Sequence, residues 1–147
     1  MNRREPYPSH RFRVEVEGIE SSGALSVVLP EARIVTGAGS LPEVECGLLV
    51  LTRGQSSSSD WYEWWNQSRR PTSSTGRSVS VVLLDAEGRD VLRWNYGGAR
   101  PIAYRVSPLH ALESGVLAES LEIAVTTFDA AFGPGNASAG ASSAGSR

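Results

Sequence analysis

Residues 59–65 read SDWYEWW, and residues 79–96 read VSVVLLDAEGRDVLRWNY. The first stretch joins polar helix-starting residues to closely spaced tryptophans, which is typical of a short helix that packs against a larger surface. The second stretch alternates apolar residues on both sides of a DAEG turn, which predicts a β-hairpin. We expect residues 101–106 to continue from this hairpin in an extended conformation.

The start and end of the predicted helix are marked by its polar residues. Glu63 lies three residues after Asp60, which is the spacing of a capping box with Asp60 or Ser59 as the N-cap. Pro71 disfavours helical backbone at the residue before it, so the helix is expected to end there.

Three tryptophans of this helix, Trp61, Trp64 and Trp65, recur at positions i, i+3 and i+4. This spacing places all three indoles on one helix face. We expect that face to pack against a sheet, with Trp94 of the hairpin as a further part of the contact. A groove of exposed aromatics that binds a glycan or a peptide is the alternative use of the same residues.

Strand patterns flank the helix and the hairpin. Residues 11–18 (RFRVEVEG) alternate apolar and charged side chains, which predicts a strand with one buried face. A second strand region, residues 24–35, is interrupted at Pro30, which cannot donate to a strand ladder. Residues 44–53 form a nearly continuous apolar run, which predicts a strand that is buried on both faces if the fold covers it there. Residues 118–128 predict the last strand.

The 147 residues suit one mainly β domain followed by a tail. The domain is expected to span residues 1–132. Residues 133–147 read GPGNASAGASSAGSR and, apart from Pro134, contain no apolar side chain larger than alanine. Such a segment buries too little surface to offset the entropy of ordering, so we expect a flexible Gly/Ala/Ser tail.

The bulk charge and hydropathy exclude several classes of partner. A formal net charge of −2 provides no basic field for nucleic acid, so no nucleic-acid specificity is expected. No stretch approaches the roughly 20 apolar residues of a membrane span, which predicts that the chain does not insert into a membrane. The arginines near the N-terminus precede no apolar segment, which disfavours a secretory signal and favours assembly in the cytoplasm.

No catalytic, cofactor-binding or metal-binding residue set is recognisable. His10 and His110 lack a second histidine, a cysteine or a paired carboxylate at metal-ligand spacing. No nucleophile elbow or phosphate-binding glycine loop is present. The sequence therefore predicts a protein that is not an enzyme and needs no cofactor.

Several segments, in order, resemble the tail tube proteins of contractile phages and the inner tube proteins of extracellular contractile injection systems. LTRG at residues 51–54 is similar to the family's L-K-R-G strand end, and WYEWWN at 61–66 to its L-W-x-W helix. The hairpin at 79–88 resembles V-x-V-x-L-L-D-x-x-G, and RWNY at 93–96 resembles R-W-N-F. YPSHRFRVEVEGI at 7–19 resembles the opening strand, and ESLEIA at 119–124 resembles E-x-L-E-L-A.

The resemblance implies a tail-tube-like β-sandwich or barrel with one short helix, which assembles into a hexameric ring. Rings of such a protein stack into a tube inside a sheath, with sheath and baseplate proteins as partners and possible cargo in the lumen. It also implies a structural role within a phage-tail-like particle, with release of that particle from the cell left open.

The family's long loop between neighbouring strands is short in this chain. Residues 36–42 form a brief stretch whose candidate inter-subunit contact residues are Gly37, Gly39, Leu41 and Pro42. The shortening leaves open a specialised paralogue, such as a tube-initiating or baseplate-adaptor ring. A monomeric β-sandwich module that binds a glycan or a peptide is the alternative from a different class.

Overall fold

The computed structural model describes residues 5–70 and 76–133. The fold is mainly β with one short helix, as the sequence predicts. Its elements, in chain order, are β1 (Phe12–Val16), β2 (Ser26–Val28), β3 (Ala32–Val35), β4 (Glu43–Cys46), β5 (Leu48–Gly54), α1 (Asp60–Ser68), β6 (Arg77–Leu84), β7 (Asp90–Val106), β8 (Ala118–Ala124) and β9 (Thr127–Phe132).

The longest strand, β7, belongs to two parts of one sheet. Residues 90–99 lie between β6 and β9, and β1 pairs with the other side of β6. Residues 100–106 instead pair with β8, which continues through β5 to β2. We call the first set of strands half-sheet A and the second set half-sheet B. All pairings are antiparallel, and β3 and β4 form a separate hairpin.

The apolar faces of the two half-sheets enclose one core. Helix α1 contacts β7 and contributes Trp61 and Trp64 to this core. Alternation along each strand accounts for the burial, because successive side chains point to opposite faces. The core residues are Val14, Val16, Ile19, Leu49, Leu51, Trp61, Trp64, Val79, Val81, Tyr96, Ala99, Leu121, Ile123 and Val125.

The predicted hairpin is present with the expected turn. Val81 pairs with Trp94 and Val79 with Tyr96, so the apolar residues of the two strands share a face. Gly88 adopts φ 82°, a left-handed conformation that glycine reaches without the steric cost of a Cβ atom. The backbone N–H groups of Glu87 and Arg89 donate to Asp85 Oδ1 (both 2.9 Å), which fixes the turn.

Two predicted strands are each divided in the structure. The run at 44–53 breaks at Gly47, whose N–H donates to the carbonyl of Glu31 (2.9 Å). The fold does not give this run the cover that burial of both faces would require, because β4 is largely exposed and β5 buries one face. The predicted strand at 118–128 ends at Ala124 and resumes as β9, because the chain crosses there from half-sheet B to half-sheet A.

The predicted capping box is absent. Asp60 is the first residue of the helix and Ser59 is the N-cap, and Ser59 makes no side-chain bond to a backbone N–H. Its hydroxyl instead donates to Glu63 Oε2 (2.5 Å). The helix ends at Ser68 with Arg69 as the C-cap, while Pro71 and residues 134–147 of the predicted tail lie outside the described residues.

Candidate assembly surfaces

Half-sheet B ends in two edge strands, both with exposed apolar side chains. Among the described strands, β2 pairs only with β5 on one edge, and Val28 is 56% exposed. On the other edge, the same described part of the chain pairs residues 101–106 only with β8, and Ile102 is also 56% exposed. A register shift lies between Pro101 and Ala103, and proline suits an edge because it lacks the N–H that a central strand would donate. Unpaired apolar edges of this kind are templates for pairing with another chain.

Strand β1, at one edge of half-sheet A, has a different character. Arg13 Nε donates to Glu15 Oε2 (2.8 Å), and Arg13 Nη2 donates to Asp90 Oδ2 (3.1 Å). Arg93 Nη1 donates to Glu15 Oε1 (3.1 Å), which links the same carboxylate to β7. Charged side chains along an edge strand disfavour pairing with another chain, so β1 is the weaker candidate for assembly.

The outer face of half-sheet B, which points away from the core, is polar near its centre. The hydroxyls of Thr52 and Ser120 lie 3.1 Å apart across β5 and β8. Arg105 Nη2 donates to Glu122 Oε2 (3.1 Å) across β7 and β8. This face therefore offers hydroxyl groups and an exposed ion pair to whatever lies opposite.

One face of the β3–β4 hairpin exposes apolar side chains, although Cys46 on the same face packs against the core. Ile34 pairs with Val44 on this face, and both side chains are exposed. The opposite face carries charges, with Arg33 paired to Glu45. Alternation of this kind normally places the apolar face against a core, so the exposed part of this face is a candidate contact surface.

The four predicted contact residues lie at the tip of this hairpin. Leu41 is 83% exposed, and Pro42 beside it is also exposed. Gly39 adopts φ 75°, and Gly37 accepts a backbone bond from Ser40 (3.1 Å), so the two glycines make the turn. The tip is therefore a compact turn that presents a leucine to solvent.

A buried ion cluster lies beneath half-sheet B. Arg53 is 6% exposed and Glu119 is 1% exposed, and Arg53 Nε donates to Glu119 Oε2 (2.6 Å). The remaining guanidinium nitrogens donate to the carbonyl of Ser22 (3.0 Å) and to Asp60 Oδ1 (2.5 Å). The guanidinium also lies 4.2 Å from the centre of the Trp61 ring. Full pairing of this kind is what makes a buried charge tolerable.

Asp60 joins the helix to this cluster. Burial disfavours its charged form, but hydrogen bonds from the side chains of Arg53 and Ser58, the positive charge of Arg53 and the Trp61 backbone N–H together outweigh burial and lower the pKa of Asp60. Its Oδ1 accepts the Trp61 backbone N–H (2.8 Å), one of the donors that a helix N-terminus leaves unpaired. The first helical turn is thus bound to β5 through a single carboxylate.

Tyr104, on the edge strand at residues 100–106, completes the cluster. Its hydroxyl donates to Glu119 Oε1 (2.7 Å). Burial and this bond to a carboxylate together raise the pKa of Tyr104 to about 12. The ring packs edge-on against Tyr62 (5.7 Å between centroids) and lies 6.2 Å from the Trp65 ring.

The four predicted helix-docking tryptophans lie in two environments. Trp61 and Trp64 are buried in the core, and Arg77 stacks 5.2 Å from the Trp64 ring. Trp65 and Trp94 are half-buried and pack against the edge of the core. Trp65 is nearer the surface than its spacing suggests, because it lies between Tyr62 and the edge strand rather than under the sheet.

The described residues contain no group of three histidine, cysteine or acidic side chains placed to hold a metal ion. Within the same residues, no helix combines the length and the hydropathy needed to cross a membrane.

Sequence reasoning missed the ion cluster, although a signal for it was present. Arg53 lies two residues after Leu51 on β5, and Glu119 lies two residues before Leu121 on β8. Both charged residues therefore lie at strand positions whose side chains face the core, where an unpaired charge is not tolerated. A charge in that phase on each of two strands predicts an ion pair, but the partner strand is evident only from the sheet order.

Residues 8–129 match the family of the T4-like virus tail tube protein gp19. No curated protein matches the chain.

Solved structures share the fold. A chain in the cryo-EM structure of the anti-feeding prophage baseplate, six-fold symmetrised, is 24% identical with a TM-score of 0.64, covering 86% of this chain and 95% of that one. A chain in the sheath–tube complex of the extracellular contractile injection system PVC, in its extended state, is 16% identical with a TM-score of 0.69, covering 88% and 93%. Hcp1 from Flavobacterium johnsoniae is 15% identical with a TM-score of 0.61, covering 84% and 97%. At these identities, the likeness establishes the fold.

Proposed function

Because the chain belongs to the T4-like virus tail tube protein gp19 family and is a structural tube subunit, we propose that six copies pair through the edges of half-sheet B into a ring. Stacked rings then form the inner tube of a phage-tail-like contractile injection system, with sheath proteins around it and baseplate proteins at its end. The observation that carries this proposal is the pair of exposed apolar edges at opposite ends of one half-sheet.

Ring closure follows from the position of these edges. When β2 of one copy pairs with residues 100–106 of the next, half-sheet B continues from subunit to subunit. Such a contact is head-to-tail. It closes into a ring when a whole number of the rotations that relate neighbouring copies makes one full turn. Closure also removes the exposed edges, which otherwise promote aggregation.

The channel side of the ring follows from the space available. Half-sheet A and the core lie on one face of half-sheet B, and the convex side of a closed ring has more room for them. The outer face of half-sheet B, with Thr52, Ser120 and the Arg105–Glu122 pair, therefore lines the lumen. Cargo in this channel meets hydroxyl groups and paired charges.

The β3–β4 hairpin supplies the contact between rings in this account. Its apolar face and the tip residues Gly37, Gly39, Leu41 and Pro42 reach a neighbouring copy. The short tip is also compatible with a variant of this function, in which the chain forms a tube-initiating or baseplate-adaptor ring. The family match does not favour this variant over a bulk tube subunit.

We assign no enzymatic activity to the protein, and we place its assembly in the cytoplasm as part of a phage-tail-like particle, with release of that particle left open. The monomeric glycan- or peptide-binding module is not favoured by the family match. The aromatic residues give the same answer, because Trp61 and Trp64 are buried and unavailable to a ligand.

Site-directed cross-linking tests the ring-closing edges. On a Cys46→Ser background, the double variant Val28→Cys, Ile102→Cys places one thiol on each edge of half-sheet B. Mild oxidation should give a ladder of covalent oligomers that ends at the hexamer on a non-reducing gel. The matched control, Glu15→Cys with Ile102→Cys, moves one thiol to the charged edge at β1 and should give no such ladder. Equal ladders from both pairs would reject this assignment of the edges.

A further inference from the structure

Tyr104 connects the edge of half-sheet B to the buried ion cluster. Its hydroxyl occupies Glu119 Oε1 (2.7 Å), while Arg53 Nε occupies Glu119 Oε2 (2.6 Å). These three residues lie on three neighbouring strands, β7, β8 and β5. Both oxygens of one buried carboxylate are therefore shared between the edge strand and the interior of the half-sheet.

Besides this bond, the edge strand is held by the buried side chain of Pro101 and by the ion pair between Arg105 and Glu122. Among the described strands, residues 101–106 pair with β8, and a register shift between Pro101 and Ala103 interrupts that pairing. The side chains of Ile102, Arg105 and Val106 are exposed. A charge-assisted hydrogen bond to a buried carboxylate is among the stronger single contacts available to such a strand.

The helix holds the same tyrosine from the other side. The Tyr104 ring packs against Tyr62 and Trp65 of α1. The first residue of α1, Asp60, is bound to Arg53. Tyr104 on the edge strand therefore contacts both the helix and the ion cluster, and the helix and the ion cluster are joined to each other through Asp60 and Arg53.

We propose that Tyr104 is a positioning residue for ring closure: through Glu119 and Arg53, its hydroxyl holds residues 100–106 where β2 of a second copy pairs with them. This inference rests on the ring-closing edges proposed above. Precise placement matters because strand pairing requires every N–H and C=O of the edge to meet its partner in register.

The variant Tyr104→Phe removes the hydroxyl and keeps the ring contacts with Tyr62 and Trp65. The matched control, Ser80→Ala, removes one hydrogen bond of similar length, from Ser80 Oγ to Asn95 Oδ1 (2.7 Å), in half-sheet A. Two quantities are measured for the wild type and both variants: the protein concentration at which rings form, and amide hydrogen exchange of residues 102–106 in the dissociated protomer. The melting temperature of the protomer is recorded alongside.

We expect Tyr104→Phe to raise the concentration needed for rings by tenfold or more and to speed exchange at residues 102–106 to a similar degree. Ser80→Ala should leave both quantities within twofold of the wild type. Ring formation and exchange in Tyr104→Phe that match those of Ser80→Ala would overturn the positioning role while leaving ring assembly intact. A wild type that forms no ring at any concentration would overturn this inference together with the proposed function.

Discussion

Arg53 is the residue on which the largest number of separate elements depend. Its guanidinium binds a carboxylate on β8, a carboxylate at the start of α1 and the backbone carbonyl of Ser22, and it stacks on Trp61. A buried ion pair gives little net stability compared with apolar residues of the same shape, but removing one partner leaves the other charge buried and unpaired. The cluster is therefore tolerated in the fold because every charge in it has a partner, and the loss of any one partner is costly.

We predict that Arg53→Met destabilises the dissociated protomer by about 3–5 kcal/mol, because Glu119 loses its cationic partner. The control Arg105→Met breaks the exposed pair with Glu122 and should cost about 0–1 kcal/mol. Urea unfolding of both variants gives these free energies. Similar losses in the two variants would mean that the buried cluster has no special structural weight.

We predict that ionisation of the Tyr104 hydroxyl lowers the unfolding free energy of the protomer at alkaline pH. Its pKa is about 12 in the folded chain, above the ordinary value near 10, so the unfolded chain releases this proton first. The stability contributed by the neutral phenol is therefore complete below about pH 10 and is lost as the pH rises towards 12. Unfolding free energies measured from pH 9 to 12 should fall less steeply for Tyr104→Phe than for the wild type; parallel curves would contradict this.

At the scale of single elements, helix α1 is short and polar on average, so its stability depends on packing. We predict that Trp61→Ala and Trp64→Ala each cost about 3–5 kcal/mol, because both indoles are buried. Trp65→Ala should cost clearly less, since that ring is half-buried beside the edge strand. Thermal or urea unfolding of the three variants ranks them, and an equal cost for Trp65→Ala would place its ring in the core.

The β3–β4 hairpin offers the converse case, an element whose apolar side chains do little for the protomer. We predict that Leu41→Ser changes the unfolding free energy of the protomer by no more than about 0.5 kcal/mol, because the side chain is 83% exposed. Rings should still form, while tubes become shorter or absent in electron micrographs. The control Ser40→Ala alters the same tip without removing the leucine; tubes of normal length from Leu41→Ser would show that the tip makes no contact between rings.

The type of an element could be predicted from the sequence where the local residue pattern determines it. The boundary of an element could not be predicted where a contact with a distant strand determines it. The hairpin at 79–96 and its glycine turn follow from alternation and turn chemistry. The break at Gly47 depends on a bond to Glu31, and the break after Ala124 depends on the chain crossing between half-sheets. The capping box fails for a similar reason, since Asp60 is bound to Arg53 from a neighbouring strand.

In the molecule as a whole, the described residues of the isolated protomer expose apolar side chains in several patches. Apolar side chains are exposed on both edges of half-sheet B and on the β3–β4 hairpin. Patches of this kind on a soluble chain mark interfaces. The ring proposed above would cover them, and the choice of edges and faces in that proposal rests on the sheet order.

The proposed assembly is a six-fold ring of this chain around a channel. Negative-stain electron microscopy of the purified protein, with its solution mass measured on the same sample, tests this most directly. We predict six-fold rings with a central hole, or stacks of such rings, and a mass of six protomers for the smallest assembly. A strictly monomeric protein at the highest attainable concentration, or rings of another symmetry, would rule out closure into a six-fold ring.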